Sequence, residues 1–329
     1  MSSGLKARIV ATGSYVPEEI LTNRDLEKRI DTTDQWIVER TGVRERRIAG
    51  KDEATSDLAF KAAESALKAA RMAPDQLDLI IVATATPDMF FPSTACIVQD
   101  KLKATRAAAF DLSAACSGFV YALSVGEQYI RSGTYRNVLV IGAEVMSRLT
   151  DWTDRRTCVL FGDGAGAVLL APSTSENGIL SIHLHSDGSL WDLICVPGGA
   201  AAIPPSEKVL AEHLNTIKMK GNETFKVAVR SLEEVAWEAM RANELSPSDI
   251  SYMIPHQANI RILNAVAERL GFAKEKVVVN LDRYGNTSAG SIPLALDEAV
   301  RDGRIKEGAS LLFLAFGGGL TWASALVRW

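Results

Sequence analysis

Cys116 lies in AFDLSAACSGFVYALSVGEQYIRSG, where a strand-like run gives way to small residues and then to a helical pattern reaching about Arg131. A thiol at the start of a helix faces the positive end of the peptide dipoles, which favours the thiolate. Its small neighbours Ala114, Ala115, Ser117 and Gly118 leave room for a substrate to approach. The chemistry on offer is nucleophilic attack by sulfur. The alternative is a small core cysteine, which is how Cys96, Cys158 and Cys195 read. His256 ends the strand-like ISYMIP, and the polar Gln257 and Asn259 follow it, before a helix with Ile260, Leu263, Ala267 and Leu270 as its apolar stripe. A lone histidine there is either structural or a proton-handling group. Asn286, in RYGNTSAGSIP, is either a turn or capping residue or an amide donor to a developing oxyanion. Gly317, Gly318 and Gly319 join two strand-like runs, and the backbone N–H groups of such a turn can face a developing negative charge. GDGAG at 162–166 superficially resembles a nucleotide loop. It stands between the strand-like CVLF and AVLLA and reads as a hairpin turn.

These groups need a scaffold, and the pattern of the chain supplies one. Leu79–Ala83 and Val138–Gly142 are short, β-branched and apolar, as strands buried on both faces are. Residues 55–71 place Leu58, Ala59, Ala62, Ala63, Ala66, Leu67 and Ala70 at helical spacing, and the alanines imply close packing. Alternation of this kind predicts α/β layers. The chain also repeats itself. At an offset of 173, Ala63, Ala66, Ala69, Pro74, Leu77, Ile80 and Ile81 meet Ala236, Ala239, Ala242, Pro247, Ile250, Met253 and Ile254. At an offset of 170, EQYIRSG meets DEAVRDG, and Cys116 falls opposite Asn286. The repeat divides the chain near the turn-rich APSTSENG, into an N-terminal half, 1–175, carrying the cysteine and a C-terminal half, 176–329, carrying the histidine and asparagine. Candidate groups thus sit at strand ends and helix starts of two similar halves, where open α/β sheets form their sites.

The 329 residues are 47% hydrophobic and 23% charged, enough to fill a core, which argues against disorder. A net charge of −4 lacks the basic excess of a nucleic-acid binder. The cysteines form no CxxC pair, and strand alternation accounts for His183 and His185, so no zinc site is expected. No Walker or Rossmann glycine pattern follows the first strand. No apolar run is long enough for a membrane span, and MSSGLKARIVATG lacks the apolar centre of a signal peptide. The expected compartment is the cytoplasm.

AACSGF, PHQANIRI, GNTSAGSIP and AFGGGLTW, in that order and spacing, resemble the thiolase-type condensing enzymes, most closely the β-ketoacyl-acyl-carrier-protein synthase III family. The resemblance runs from IVATGSYVPEEILTN through TDQWIVERTGVRERR to the final SALVRW. It implies a duplicated, thiolase-like α/β fold of five layers, α-β-α-β-α, usually as a homodimer. The implied reaction is a decarboxylative Claisen condensation of an acyl-CoA primer, with acetyl-CoA expected, and malonyl-acyl-carrier-protein, initiating type II fatty acid synthesis. A related condensing enzyme or acyltransferase of secondary metabolism, or a silent acyl-CoA-binding module, are the alternatives. By the resemblance Cys116 is the nucleophile, His256 and Asn286 complete the triad, and the N–H of Gly318 shares the oxyanion hole with that of Cys116. Thr32, Trp36, Arg40, Arg155, Gly221, Phe225 and Asn259 fall on coenzyme A positions, and Arg261 and Lys226 on the face that meets the carrier protein. Phe91, Met146, Phe161, Ile194 and Ile217 fall on the acyl pocket, with Phe91 reaching toward the partner's pocket. Arg156 departs from the family, which often has glycine there, and adds charge beside the adenine end. No metal or redox cofactor is implied, because coenzyme A and phosphopantetheine arrive as parts of the substrates.

Overall fold

The computed structural model describes residues 5–329. Strands β1 (Lys6–Tyr15), β2 (Leu79–Ala83), β3 (Ala108–Leu112), β4 (Val138–Val145) and β5 (Asp163–Ser173) form one sheet in the order β1-β5-β4-β2-β3. β2 is parallel to both its neighbours, while β4, β5 and β1 pair antiparallel. Strands β6 (Gly178–Ser186), β7 (Tyr252–Pro255), β8 (Ser310–Gly317) and β9 (Thr321–Arg328) form a second sheet in the order β7-β8-β9-β6. Its strand senses copy the first: β7 is parallel to β8, and β8, β9 and β6 pair antiparallel. A parallel bridge from Met253 to Val277 stands where β3 stands in the first sheet.

Every residue of β2 and β4 is buried, so both faces of that sheet must be covered. Helices α2 (Thr55–Ala70) and α3 (Thr94–Leu102) cover its outer face, following α1 (Asp34–Thr41) in the chain. Helices α5 (Gly221–Ala242) and α6 (Ile260–Leu270) cover the outer face of the second sheet. Between the sheets lie α4 (Gly118–Arg131) and α7 (Ser291–Arg301), whose Phe119, Leu123, Ile292 and Leu296 share one core with strands of both sheets. The result is five layers, α-β-α-β-α. The alanine stripe of α2 lets it lie directly on β1: a Cβ on Gly13 would stand 2.3 Å from the Ala66 nitrogen. Among the described residues no helix is long and apolar enough to cross a membrane.

Two expectations change. GDGAG is not a hairpin turn, because Asp163 to Gly166 lie inside β5. Its glycines answer to the central layer instead: a Cβ on Gly166 would meet the Leu294 nitrogen at 2.5 Å, so α7 can rest there only on bare backbone. Cys116 is also not the counterpart of Asn286. Ala115 and Ser288, 173 apart, hold the same left-handed backbone, with φ of 45° and 48°, and α4 and α7 begin at that same offset. The offset falls to 170 only at the far ends, because α4 has 14 residues and α7 has 11. Cys116 therefore matches Ala289, and Asn286 stands in the loop before it.

Candidate active site

A short helical turn, Ala115–Ser117, presents Cys116 at the entrance to α4. The start of β9 clamps this turn: the Ser117 hydroxyl donates to the Thr321 carbonyl at 3.0 Å, and the Thr321 hydroxyl donates to the Ala114 carbonyl at 3.2 Å. Gly317 presses on it from β8, where a Cβ would stand 2.7 Å from the Cys116 nitrogen. Cys116 is half-buried at a pocket of about 660 Å³, which Met146, Phe161, Ile194, Ile217 and Gly318 also line. Burial pushes its thiol up to about 12, with the nearby Glu144 carboxyl adding to the rise and the Ser288 hydroxyl opposing it. Burial and the helix dipole thus act on this thiol in opposite directions.

His256 follows β7, and its backbone N–H donates to the Leu314 carbonyl at 2.7 Å. Nδ1 lies 2.7 Å from the Ser291 hydroxyl, which also accepts from the Gln257 N–H at 3.3 Å. Burial pushes the imidazole down to about 3, so it is neutral at ordinary pH. Asn286 is buried and pairs with Phe161 in a parallel bridge, donating its N–H to the Leu160 carbonyl at 2.8 Å. Its Oδ1 accepts from the Ser288 N–H at 2.8 Å, leaving the Nδ2 hydrogens as donors. The turn reading of Asn286 accounts for its Oδ1. Neither His256 nor Asn286 lines the pocket wall that Cys116 shares with Gly318; Asn286 is buried against Phe161 and Ser288, and His256 is buried against Ser291.

The proposed entrance residues form two clusters. Arg155 and Arg40 stand over the Trp36 ring at 4.9 and 5.8 Å, and Arg155 also donates to the Asp31 carbonyl at 2.7 Å. Arg261 stands over Phe225 at 5.6 Å. Asn259 joins the clusters: it caps α6 by accepting from the Arg261 N–H at 2.8 Å and donates to the Arg40 carbonyl at 3.1 Å. The Thr32 hydroxyl is buried without a partner, Gly221 opens α5 with free space around it, and Lys226 is exposed on that helix.

Two models of the family described as 3-oxoacyl-[acyl-carrier-protein] synthase III match residues 110–188 and, for its C-terminal part, 240–329, taking in Cys116, His256, Asn286 and Gly318. A β-ketoacyl-[acyl-carrier-protein] synthase III of Alkalilimnicola ehrlichii is 56% identical over 324 residues, 98% of this chain and 99% of that protein. One of Caldanaerobacter subterraneus is 52% identical over 329 residues, 100% of this chain and 99% of that protein. The crystal structure of a 3-oxoacyl-[acyl-carrier-protein] synthase III from Aquifex aeolicus, 51% identical, superposes with a TM-score of 0.91 over 98% of this chain and 100% of its own.

The chain belongs to the 3-oxoacyl-[acyl-carrier-protein] synthase III family.

Within this family framework, Phe91 is 85% exposed and stands apart from the pocket of its own chain, and the neighbouring Phe90, which edges that pocket, is 80% exposed. Arg156 forms a two-pronged pair with Asp154, at 2.9 and 3.1 Å, so the extra charge expected beside the adenine end is compensated locally. Sequence reading missed Ser291, which holds the His256 ring, and Glu144, a wholly buried carboxyl in the otherwise apolar run VLVIGAEV. An acid in such a strand is itself a signal, because burying a carboxylate is costly unless donors surround it.

The close seat of Gly317 makes a test. Gly317→Ala drives a methyl group into the Cys116 and Ser117 backbone nitrogens, so acylation fails and stability falls by about 1–3 kcal/mol, as for an overpacked core. Gly188→Ala, with nothing within 4 Å of its Cβ, behaves like the parent in the same denaturation and labelling assays.

Proposed function

We propose that this chain condenses an acyl-CoA primer with malonyl-acyl-carrier-protein, releasing carbon dioxide and coenzyme A and starting fatty acid chains. The observation that carries the reading is Cys116 at the start of a long helix, sharing a pocket of about 660 Å³ with Gly318, in a chain whose family models also take in His256 and Asn286. Sulfur attacks the acyl carbonyl, the two N–H groups hold the oxyanion, and coenzyme A leaves with a proton. Malonyl thioester then loses carbon dioxide, and donors from His256 and Asn286 hold the enolate oxygen while its carbon attacks the acyl-cysteine. Acetyl-CoA is the proposed primer, and each methylene of primer length changes selectivity by about 1–3 kcal/mol in such a pocket. The chemistry calls on no metal or redox group. A panel of acyl-CoA primers with malonyl-acyl-carrier-protein tests the reading, with β-ketoacyl-carrier product expected and its absence with every primer overturning it.

In this reading Trp36, Arg40 and Arg155 receive the nucleotide end of coenzyme A, where stacking and charge-assisted bonds suit adenine and phosphate. Arg261 and Lys226 meet an acidic carrier protein in the cytoplasm. Arg261→Glu places like charges together, so KM for the carrier substrate rises about tenfold or more. Added salt weakens the parent in the same direction, while a KM unmoved by either places docking elsewhere. The exposed Met89, Phe90 and Phe91 suit cover by a second copy, and the proposed homodimer sediments at twice 35.5 kDa at micromolar concentration.

A further inference from the structure

Asp151, just beyond the turn that follows β4, is buried, and no step of the condensation uses it. Its Oδ1 is taken up within its own segment, by the Thr153 N–H at 3.0 Å and the Thr153 hydroxyl at 2.6 Å. Oδ2 meets a different stretch of chain. His213 Nδ1 lies 3.2 Å from it and the Lys218 ammonium 3.8 Å. These two groups are also tied to each other. The Lys218 ammonium donates to the Thr216 hydroxyl at 3.1 Å, and that hydroxyl donates to the His213 carbonyl at 2.6 Å. One carboxylate therefore grips both ends of the arc 213–218. Asn215 and Ile217, between those ends, line the Cys116 pocket.

The arc ends a long loop. A short ladder pairs Ile194 with Met219 and Cys195 with Lys218, and the chain between them, residues 196–217, carries the brief helix Glu207–Ala211. Val196, Gly198, Gly199 and Ala200 on its outgoing side join Asn215 and Ile217 on its returning side in lining the pocket. The Ile217 N–H donates to the Leu149 carbonyl at 2.8 Å, which sets the returning side against the segment that carries Asp151. A single backbone bond leaves the arc free to pivot, and the carboxylate supplies the second point of attachment. A loop this long with so little regular structure keeps its shape through contacts of this kind. Burial by itself would raise the Asp151 carboxyl, but Thr153, His213 and Lys218 hold it below its ordinary range, so it is ionised at neutral pH. His213 keeps φ at 52°, a left-handed backbone that an L-residue adopts at a cost, so its surroundings hold it there.

We infer that Asp151 is a positioning residue that fixes one wall of the acyl pocket and so limits the length of primer that Cys116 accepts. Asp151 does not itself line the pocket and acts through Asn215 and Ile217. With the arc gripped at both ends, those two side chains stand at one depth. With the grip released, the arc pivots on the bond between Ile217 and Leu149, the wall recedes, and longer acyl chains fit. Acetyl gains little from the change, because a two-carbon group reaches only a short way beyond the sulfur. The inference rests on the condensing reading, in which this pocket holds the acyl group.

The experiment measures acyl transfer to the full-length protein from acetyl-CoA, butyryl-CoA and hexanoyl-CoA, read as the initial rate of acyl mass gain. Asp151→Asn keeps the side-chain shape and can still accept from Thr153, but it loses the charge that holds Lys218. Its ratio of hexanoyl to acetyl transfer rises about tenfold, while the acetyl rate stays within about twofold of the parent. Lys218→Met leaves the carboxylate in place and moves the ratio the same way by a smaller factor, and it decides the matter if Asp151→Asn does not fold. In both variants amide hydrogen exchange quickens over 213–218, while β4 and β8 keep the parent's protection. Leu67→Ala, in the outer layer over the first sheet, lowers overall stability without moving the ratio. A ratio equal to the parent's in both Asp151→Asn and Lys218→Met overturns the inference, and so does a ratio that shifts as far in Leu67→Ala. A parent that takes no acyl group from any of the three thioesters overturns the condensing reading instead.

Discussion

Cys116→Ala incubated with acetyl-CoA gains no acetyl mass, whereas Cys96→Ala, Cys158→Ala and Cys195→Ala are acetylated like the parent. The expected effect is complete loss, because no other group can take the place of the attacking sulfur. Cys96 is exposed on α3, and its thiol is turned to the Ala109 carbonyl at 3.7 Å, away from the pocket. Cys158 is buried, and its surroundings push its thiol up to about 11. Cys195 is the serious competitor, since it lines the same pocket and is half-buried. It sits in a two-stranded ladder, with Cys195 opposite Lys218, whereas Cys116 sits at the start of a long helix beside the Gly318 turn. Intact mass followed by peptide mapping separates the two. Acetyl on Cys195 in the Cys116 variant would move the reaction centre to the opposite wall.

His256→Ala and Asn286→Ala lose malonyl decarboxylation by about 10²–10³-fold each, the usual effect of deleting one preorganised oxyanion donor. Both variants still accept acetyl from acetyl-CoA. The division follows from the placement of the groups. His256 and Asn286 come from the C-terminal half, where Ser291 engages the imidazole Nδ1 and the Ser288 N–H engages the amide oxygen of Asn286. Cys116 comes from the N-terminal half, on the turn that opens α4. Because burial holds His256 down to about 3 against an ordinary 6.5, decarboxylation shows no histidine inflection between pH 5 and 8. Paired measurement of protein acetylation and carbon dioxide release checks this. If either variant loses acetylation as completely as Cys116→Ala, the three residues act as one unit in both stages. An inflection near 6.5 would mean that His256 works as the cation.

Much of the framework was legible locally. The apolar runs at Leu79–Ala83 and Val138–Gly142, the alanine stripe of residues 55–71 and the small residues around Cys116 each fix an element through its own neighbours along the chain. Four short motifs in order then placed the cysteine, histidine, asparagine and glycine. The repeat of PDQLDLIIV in SPSDISYMI correctly implied two like halves, since equal patterns build equal sheets. The numerical offset did not carry the same weight. A three-residue difference in length between α4 and α7 moved the apparent partner of Cys116 from Ala289 to Asn286.

What tertiary structure alone decided concerns groups whose state depends on residues distant in sequence. A cysteine at a helix start reads as favoured toward thiolate, yet burial and the nearby Glu144 push its thiol the other way. Arg156 reads as added charge, yet Asp154 folds back to meet it. GDGAG reads as a turn, yet its glycines belong to a strand, because α7 from the other half lies on them. Phe90 and Phe91 are equivalent as letters, and only the path of the loop leaves both of them exposed while Phe90 edges the pocket. Local sequence determines element type through backbone preference and the period of apolar residues. Protonation, pairing and pocket shape depend on hydration and on which surfaces meet, and those are set when Ser288 reaches Glu144 and Phe161 reaches Asn286 across more than a hundred residues.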